Sequence, residues 1–255
     1  MRRHFSIRPL AVALPILVGL STCAAMLAAT GASAQPSTSA TITPSLSPDR
    51  LNAKGSLLVT IRFTEAESGV PSPVRSSILR FPAGLGIEIP HLRSCAIPRL
   101  RAHGPGGCPV QSMLGHGHAL AEVQAGSQII TESISLWVFL GPFKNLQPTF
   151  EILGQGLTPF DERVVLTGTA LPDNPPYGED LAITIPPIPT LPLEPDASIV
   201  TMSLTVGVSK PRNPRVANTV LVPPGCPSGG FPFAADFTYA DGSSDSALAT
   251  APCPR

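Results

Sequence analysis

Ser56-Leu57-Leu58-Val59-Thr60-Ile61-Arg62-Phe63-Thr64 is the stretch that decides the fold class. Successive side chains of an extended chain point to opposite sides. Leu57, Val59, Ile61 and Phe63 therefore share one face, and Leu58, Thr60, Arg62 and Thr64 the other. A run that alternates this cleanly is a half-buried β-strand. Similar runs recur on both sides of it. Residues 78–81 make a short strand closed by Pro82, and residues 116–123 and 128–140 read as successive strands around Ala125-Gly126. In the second of these, Ile130, Ile134, Leu136, Val138 and Leu140 share a face. Further strands are expected at 149–153, 163–170, 181–185 and 199–206, the last burying Val200, Met202, Leu204 and Val206.

The chain holds 31 prolines in 255 residues. Proline this frequent excludes long helices, because each interior proline removes a hydrogen bond and clashes with the preceding turn. About a dozen short strands with turn signals between them predict an all-β fold, a single β-sandwich of Ig-like or jelly-roll-like type, with two small sandwiches the alternative. Residues 186–195 carry five prolines among apolar residues and should form an extended polyproline-like crossover lying on the domain. Residues 35–40 read as a small, polar and mobile opening segment.

The first 34 residues have the form of a cleaved export signal. Arg2, Arg3 and Arg8 supply positive charge, an apolar stretch runs over 10–29, and Ala32-Ser33-Ala34 offers the small residues a signal peptidase requires. The stretch is long enough to raise a membrane span as an alternative, but Pro15 interrupts it. Arg2-Arg3-His4-Phe5 also resembles a twin-arginine signal. Thr22 before Cys23 is a poor fit to a lipoprotein box. The expected mature domain is 35–255, secreted or non-covalently envelope-associated, since Pro254-Arg255 carries no sorting motif. The whole chain has 17 basic and 17 acidic residues. Losing three arginines leaves a slight negative excess, which offers no footprint for nucleic acid or anionic lipid.

Export makes the remaining thiols candidates for disulfides. Cys95, Cys108, Cys226 and Cys253 allow three connectivities. The local pairing, Cys95 with Cys108 and Cys226 with Cys253, closes easily satisfied loops and is the preferred one. The first would staple residues 90–109, and the second would lock a hairpin. In that hairpin Phe231, Phe233, Phe237 and Tyr239 alternate, and Asp241-Gly242 is a turn signal. A two-residue turn there sets Phe237 opposite Ser246 and Ala235 opposite Leu248.

Several segments together resemble a group of secreted, largely uncharacterised actinobacterial proteins. They are Leu79-Arg80-Phe81-Pro82-Ala83-Gly84-Leu85, Cys95 through Cys108-Pro109-Val110-Gln111-Ser112, and Val138-Phe139-Leu140-Gly141-Pro142. Leu191-Pro192-Leu193, Cys226-Pro227-Ser228-Gly229-Gly230-Phe231-Pro232-Phe233 and Pro252-Cys253-Pro254 complete the pattern. The resemblance implies one exported β-sandwich module. It implies no reaction and no ligand.

Residues that could carry chemistry are few. His116-Gly117-His118 places two imidazoles on one strand face, a spacing that could share zinc or copper. Trp137 and Phe139 lie opposite the Leu136, Val138 stripe and could stack on a sugar. Glu122, Glu132, Glu151 and Asp161 are candidates for a carboxylate pair in a hydrolase cleft, which requires two carboxyls to converge. The pairs Glu65/Glu67, Asp161/Glu162 and Glu179/Asp180 read as solvated charges at strand ends. Asp241 to Asp245 lacks the ligand series of a calcium loop. No nucleophile elbow, phosphate loop or zinc-protease motif is present. The expected function is a secreted binding or structural module with no cofactor, no membrane span in the mature protein and an unidentified extracellular or envelope partner. A secreted hydrolase and a metal-binding protein are the alternatives.

Overall fold

The computed structural model describes residues 38–254 apart from 66–68, 90, 159–160, 189, 191–195 and 208–217. The expected export segment, Glu67 and the second half of the proline-rich crossover lie outside the described residues. Among the described residues there are thirteen strands: β1 (Thr38–Ser47), β2 (Lys54–Glu65), β3 (Val74–Pro82), β4 (Gly86–Ile87), β5 (Met113–Ala125), β6 (Gln128–Leu140), β7 (Thr149–Gly156), β8 (Arg163–Pro172), β9 (Tyr177–Thr184), β10 (Ser198–Val206), β11 (Val220–Leu221), β12 (Phe231–Tyr239) and β13 (Ser244–Ala251). The described residues also hold one short α-helix, α1 (Ile97–His103), which has Pro98 in its first turn, where a missing N–H costs nothing.

All the strands join one antiparallel sheet in the order β13-β12-β3-β9-β8-β7-β6-β5-β10-β2-β11-β4, with β1 also paired to β2. Strand twist accumulates over so many strands and curls the sheet until its halves face each other. β2 and β12 are separated by seven strands in this order. Their side chains nevertheless meet: the Phe63 and Phe237 rings stand edge to face with centroids 5.0 Å apart. Leu57 packs with Phe231 and Phe233 in the same way. The fold is an all-β sandwich made by one curled sheet, with its edge strands β1 and β13 lying against each other.

Both disulfides adopt the local pairing, Cys95 with Cys108 and Cys226 with Cys253, at Cα separations of 5.4 and 5.7 Å.

The structure corrects the sequence reading in several places. Residues 38–40 belong to β1 and are not a mobile lead-in, because Thr38 to Ser47 pairs with β2 along its whole length. The Ser, Thr and Pro44 of β1 hide its alternation, and proline is tolerated there because β1 is an edge strand. The last hairpin is one residue out of the expected register: Phe237 faces Asp245, and Ala235 faces Ala247. Its loop has three residues, Ala240 to Gly242, with Gly242 at φ +84°. A left-handed glycine closing such a loop adds one residue and shifts every pair. A bulge between Ile199 and Thr201 takes Val200 out of alternation, so Ile199 joins Met202, Leu204 and Val206 on the inner face. Glu179 and Asp180 are inside β9 and are not loop charges.

Candidate functional site

Inward-facing residues of this sheet do not fill its interior. Val59, Leu79, Ile199, Met202, Leu204 and Val206 pack against the core clusters yet stay only half-buried. The space they leave comprises two cavities of about 110 and 120 Å³. Both are lined by Ile61, Leu79, Ile152 and Met202, so the two adjoin across these side chains in mid-sheet and together make a tunnel-like apolar tract. Protein interiors hold few voids larger than a water molecule. Apolar cavities of this size stay dry and accept apolar molecules.

Charged side chains flank the tunnel and are absent from its shared middle. Glu179 lines only the first cavity, whose wall also includes the neighbouring Asp180 although that carboxylate turns outward to Arg80; Arg75, Glu132 and Glu162 line only the second. Arg75 and Phe81 sit at opposite ends of β3, so the tunnel runs along that strand. Arg75 is held by Asp196 at 2.5 Å. Glu179 is opposite Phe81, on the face shared by Leu181 and Ile183. Burial pushes its carboxyl above the ordinary glutamate range. A third, outer pocket of about 250 Å³ shares Leu85, Ala170 and Glu179 with the first cavity and is bordered by Leu146.

On the outside of the wall, Arg80 anchors a charge cluster. Its guanidinium lies 2.6 Å from Asp236, 3.7 Å from Asp173 and 3.8 Å from Asp180. The Asp236 hydrogen bond outweighs burial and raises the Arg80 pKa. Burial opposes ionisation of Asp236, but hydrogen bonds from Ser246 and Arg80 hold its carboxyl below the usual range. Burial and the adjacent Asp173 push Asp180 up.

The residues singled out from the sequence are scattered over other surfaces. His116 and His118 are exposed on the outer face of β5, opposite Trp137 and Ser135 on β6. They share a face, as their spacing requires, but no third histidine, cysteine or carboxylate completes a metal-holding group with them among the described residues. Trp137 and Phe139 do not form an open platform. The Cys95–Cys108 loop and α1 fold over them, Phe139 is fully buried with Leu100, Leu153 and Val165, and Trp137 is half-buried against that cluster. The four carboxylates do not converge. Glu122 is opposite Thr131 on one face of the sheet, while Glu132, opposite Ala121, points to the other. Glu151 is buried beneath the loop and accepts a hydrogen bond from Thr167 at 2.7 Å. Asp161 is exposed in the connection before β8.

The tunnel's polar residues left a signal in the sequence, of which the sequence reading took up only Glu132, as a candidate cleft carboxylate. Glu132 falls between Ile130 and Ile134 on an apolar face, and Glu179 precedes Leu181 and Ile183 on another. A carboxylate that interrupts an apolar period-two face marks an inward charge. The half-filled interior itself had no such signal.

Comparison with known proteins finds no family model, no curated protein and no solved structure that matches this chain. No helix among the described residues is long and apolar enough to cross a membrane.

Proposed function

We propose that this chain is an exported binding module that holds a single-chain amphiphile in its interior, the apolar tail along the tunnel and the polar end at Glu179. One observation carries this reading: two cavities walled mainly by aliphatic side chains lie end to end across Ile61, Leu79, Ile152 and Met202, with ionisable groups only at their far parts. Ligand sites are commonly apolar and concave, with a few polar groups that fix orientation. A carboxyl at the mouth selects an uncharged or cationic head group, such as an alcohol or amine, and repels an anionic one once it ionises. The expected signal segment, the two disulfides and the resemblance to secreted actinobacterial proteins support work outside the cytoplasm.

Titration of the oxidised protein with a fluorescent long-chain alcohol tests the proposal. Saturable uptake at micromolar concentration, competed by unlabelled alcohols of the same length, is the expected result. Met202→Trp fills the shared middle of the tunnel and should weaken uptake at least about tenfold, the equivalent of losing one buried side chain's transfer energy. Failure of the parent protein to take up the alcohol, or equal uptake by a folded Met202→Trp variant, overturns it.

A further inference from the structure

The turn between β6 and β7 carries a feature that folding alone disfavours. Lys144 and Gln147 exchange both backbone hydrogen bonds at 2.9 Å, which leaves Asn145 and Leu146 as a two-residue turn. Both central residues have positive φ, 51° and 66°. Asparagine suits that conformation and glycine usually takes the second position, whereas a branched side chain is penalised there. Leu146 is nonetheless present, and it is 95 % exposed. Phe143, in the same turn region, is 52 % exposed. The exposed Lys144 lies between them and makes no ion pair among the described residues. Water disfavours this arrangement and the backbone disfavours one of its members.

The position of the turn supplies the explanation. Leu146 borders the outer pocket, which shares Leu85, Ala170 and Glu179 with the end of the tunnel. We infer that the Phe143–Leu146 tip dips into a lipid surface and brings the tunnel mouth against it, so that the amphiphile passes from the lipid layer into the protein without crossing water. Two apolar side chains flanking a lysine suit this occupant: the apolar groups enter the acyl boundary, and the ammonium stays with the phosphates. The inference rests on the tunnel reading, because the docking it describes serves loading.

Flotation with vesicles of equal parts phosphatidylcholine and phosphatidylglycerol tests the docking, and uptake of the same fluorescent alcohol, presented in vesicles or dissolved, tests the loading. The parent protein should float with the vesicles. Leu146→Gly, which also relieves the backbone, should weaken flotation about tenfold with no loss of thermal stability. It should lower the ratio of vesicle-presented to dissolved uptake by a similar factor, and Phe143→Ser in addition should lower both further. Met202→Trp should float like the parent while taking up little alcohol, which separates failure of the tunnel from failure of the tip. Dissolved uptake without flotation of the parent protein overturns the docking and leaves the tunnel standing. Equal flotation by the double variant, or a dimer of the parent that Leu146→Gly dissolves, also overturns it, the latter in favour of a second copy of the chain as occupant.

Discussion

Ala40 donates its backbone N–H to the Asp245 carboxylate at 2.7 Å, joining the first and last strands across 205 positions of sequence. The inward side chains of the two strands, Ala40 and Ala247, belong to one core cluster with Phe63, Phe237 and Tyr239. This seam holds the curled sheet in the shape that encloses the tunnel.

Asp245→Ala should therefore loosen the seam. An edge-strand N–H loses a charged acceptor, which destabilises by about 1–3 kcal/mol. Asp245→Asn keeps an oxygen in place and should recover most of that. Urea unfolding midpoints of the three proteins measure the difference. The prediction fails if alanine and asparagine are equally harmless.

Removing the Cys95–Cys108 bridge should uncover the outer aromatic face. The bridge closes a loop with a sequence separation of 13. In the chain-entropy account a loop of this size contributes about 3 kcal/mol. The chain's one tryptophan is at position 137, packed against the cluster that this loop covers. A double Cys→Ala variant should shift tryptophan emission to the red and lower the unfolding midpoint. An unchanged emission maximum would mean that α1 holds its place without the bridge.

Glu151 sets a pH dependence. Burial, opposed by hydrogen bonds from Thr167 and Thr149, raises its folded pKa above the ordinary glutamate value. The native state then holds the proton more tightly than the unfolded chain does. Stability from this group is full below the unfolded pKa and is lost as pH rises through the folded one. Glu151→Gln removes the buried charge while keeping an acceptor for Thr167. It should stabilise the protein at neutral pH by about 1–3 kcal/mol, the range for a poorly compensated buried polar group. The gain should shrink as the solution is acidified. Thermal midpoints of both proteins across that range measure it, and a gain that grows on acidification refutes the assignment.

The alternating run in β2, the aromatic alternation of β12 and the local cysteine spacing were all readable before any tertiary structure. Each depends on contacts between near neighbours or on the strict two-residue period of an extended chain. Two slips came from a single inserted residue, at the three-residue loop ending at Gly242 and at the Val200 bulge; β1 was missed because its Ser, Thr and Pro residues hide its alternation. The strict period makes strands easy to find, and for the same reason one extra residue reverses every later assignment.

Trp137 and Phe139 show the limit on the side of function. Their alternation places them outward, which is correct, but only the folded Cys95–Cys108 loop decides that outward means covered. Glu179 and Leu146 show the converse. One reads locally as a strand-end charge and the other as a loop residue, until the curl of the sheet sets both at the mouth of the tunnel.

By itself, the sequence determined most of the strand content, the preference for local disulfide pairs and most of the shared faces, because these follow from local periodicity and short loops. Tertiary structure alone decided that the sheet closes β1 against β13, that its interior stays partly empty and which residues border the opening. Those outcomes depend on accumulated twist over many strands and on how completely facing side chains fill the space between them, and neither quantity resides in any one segment.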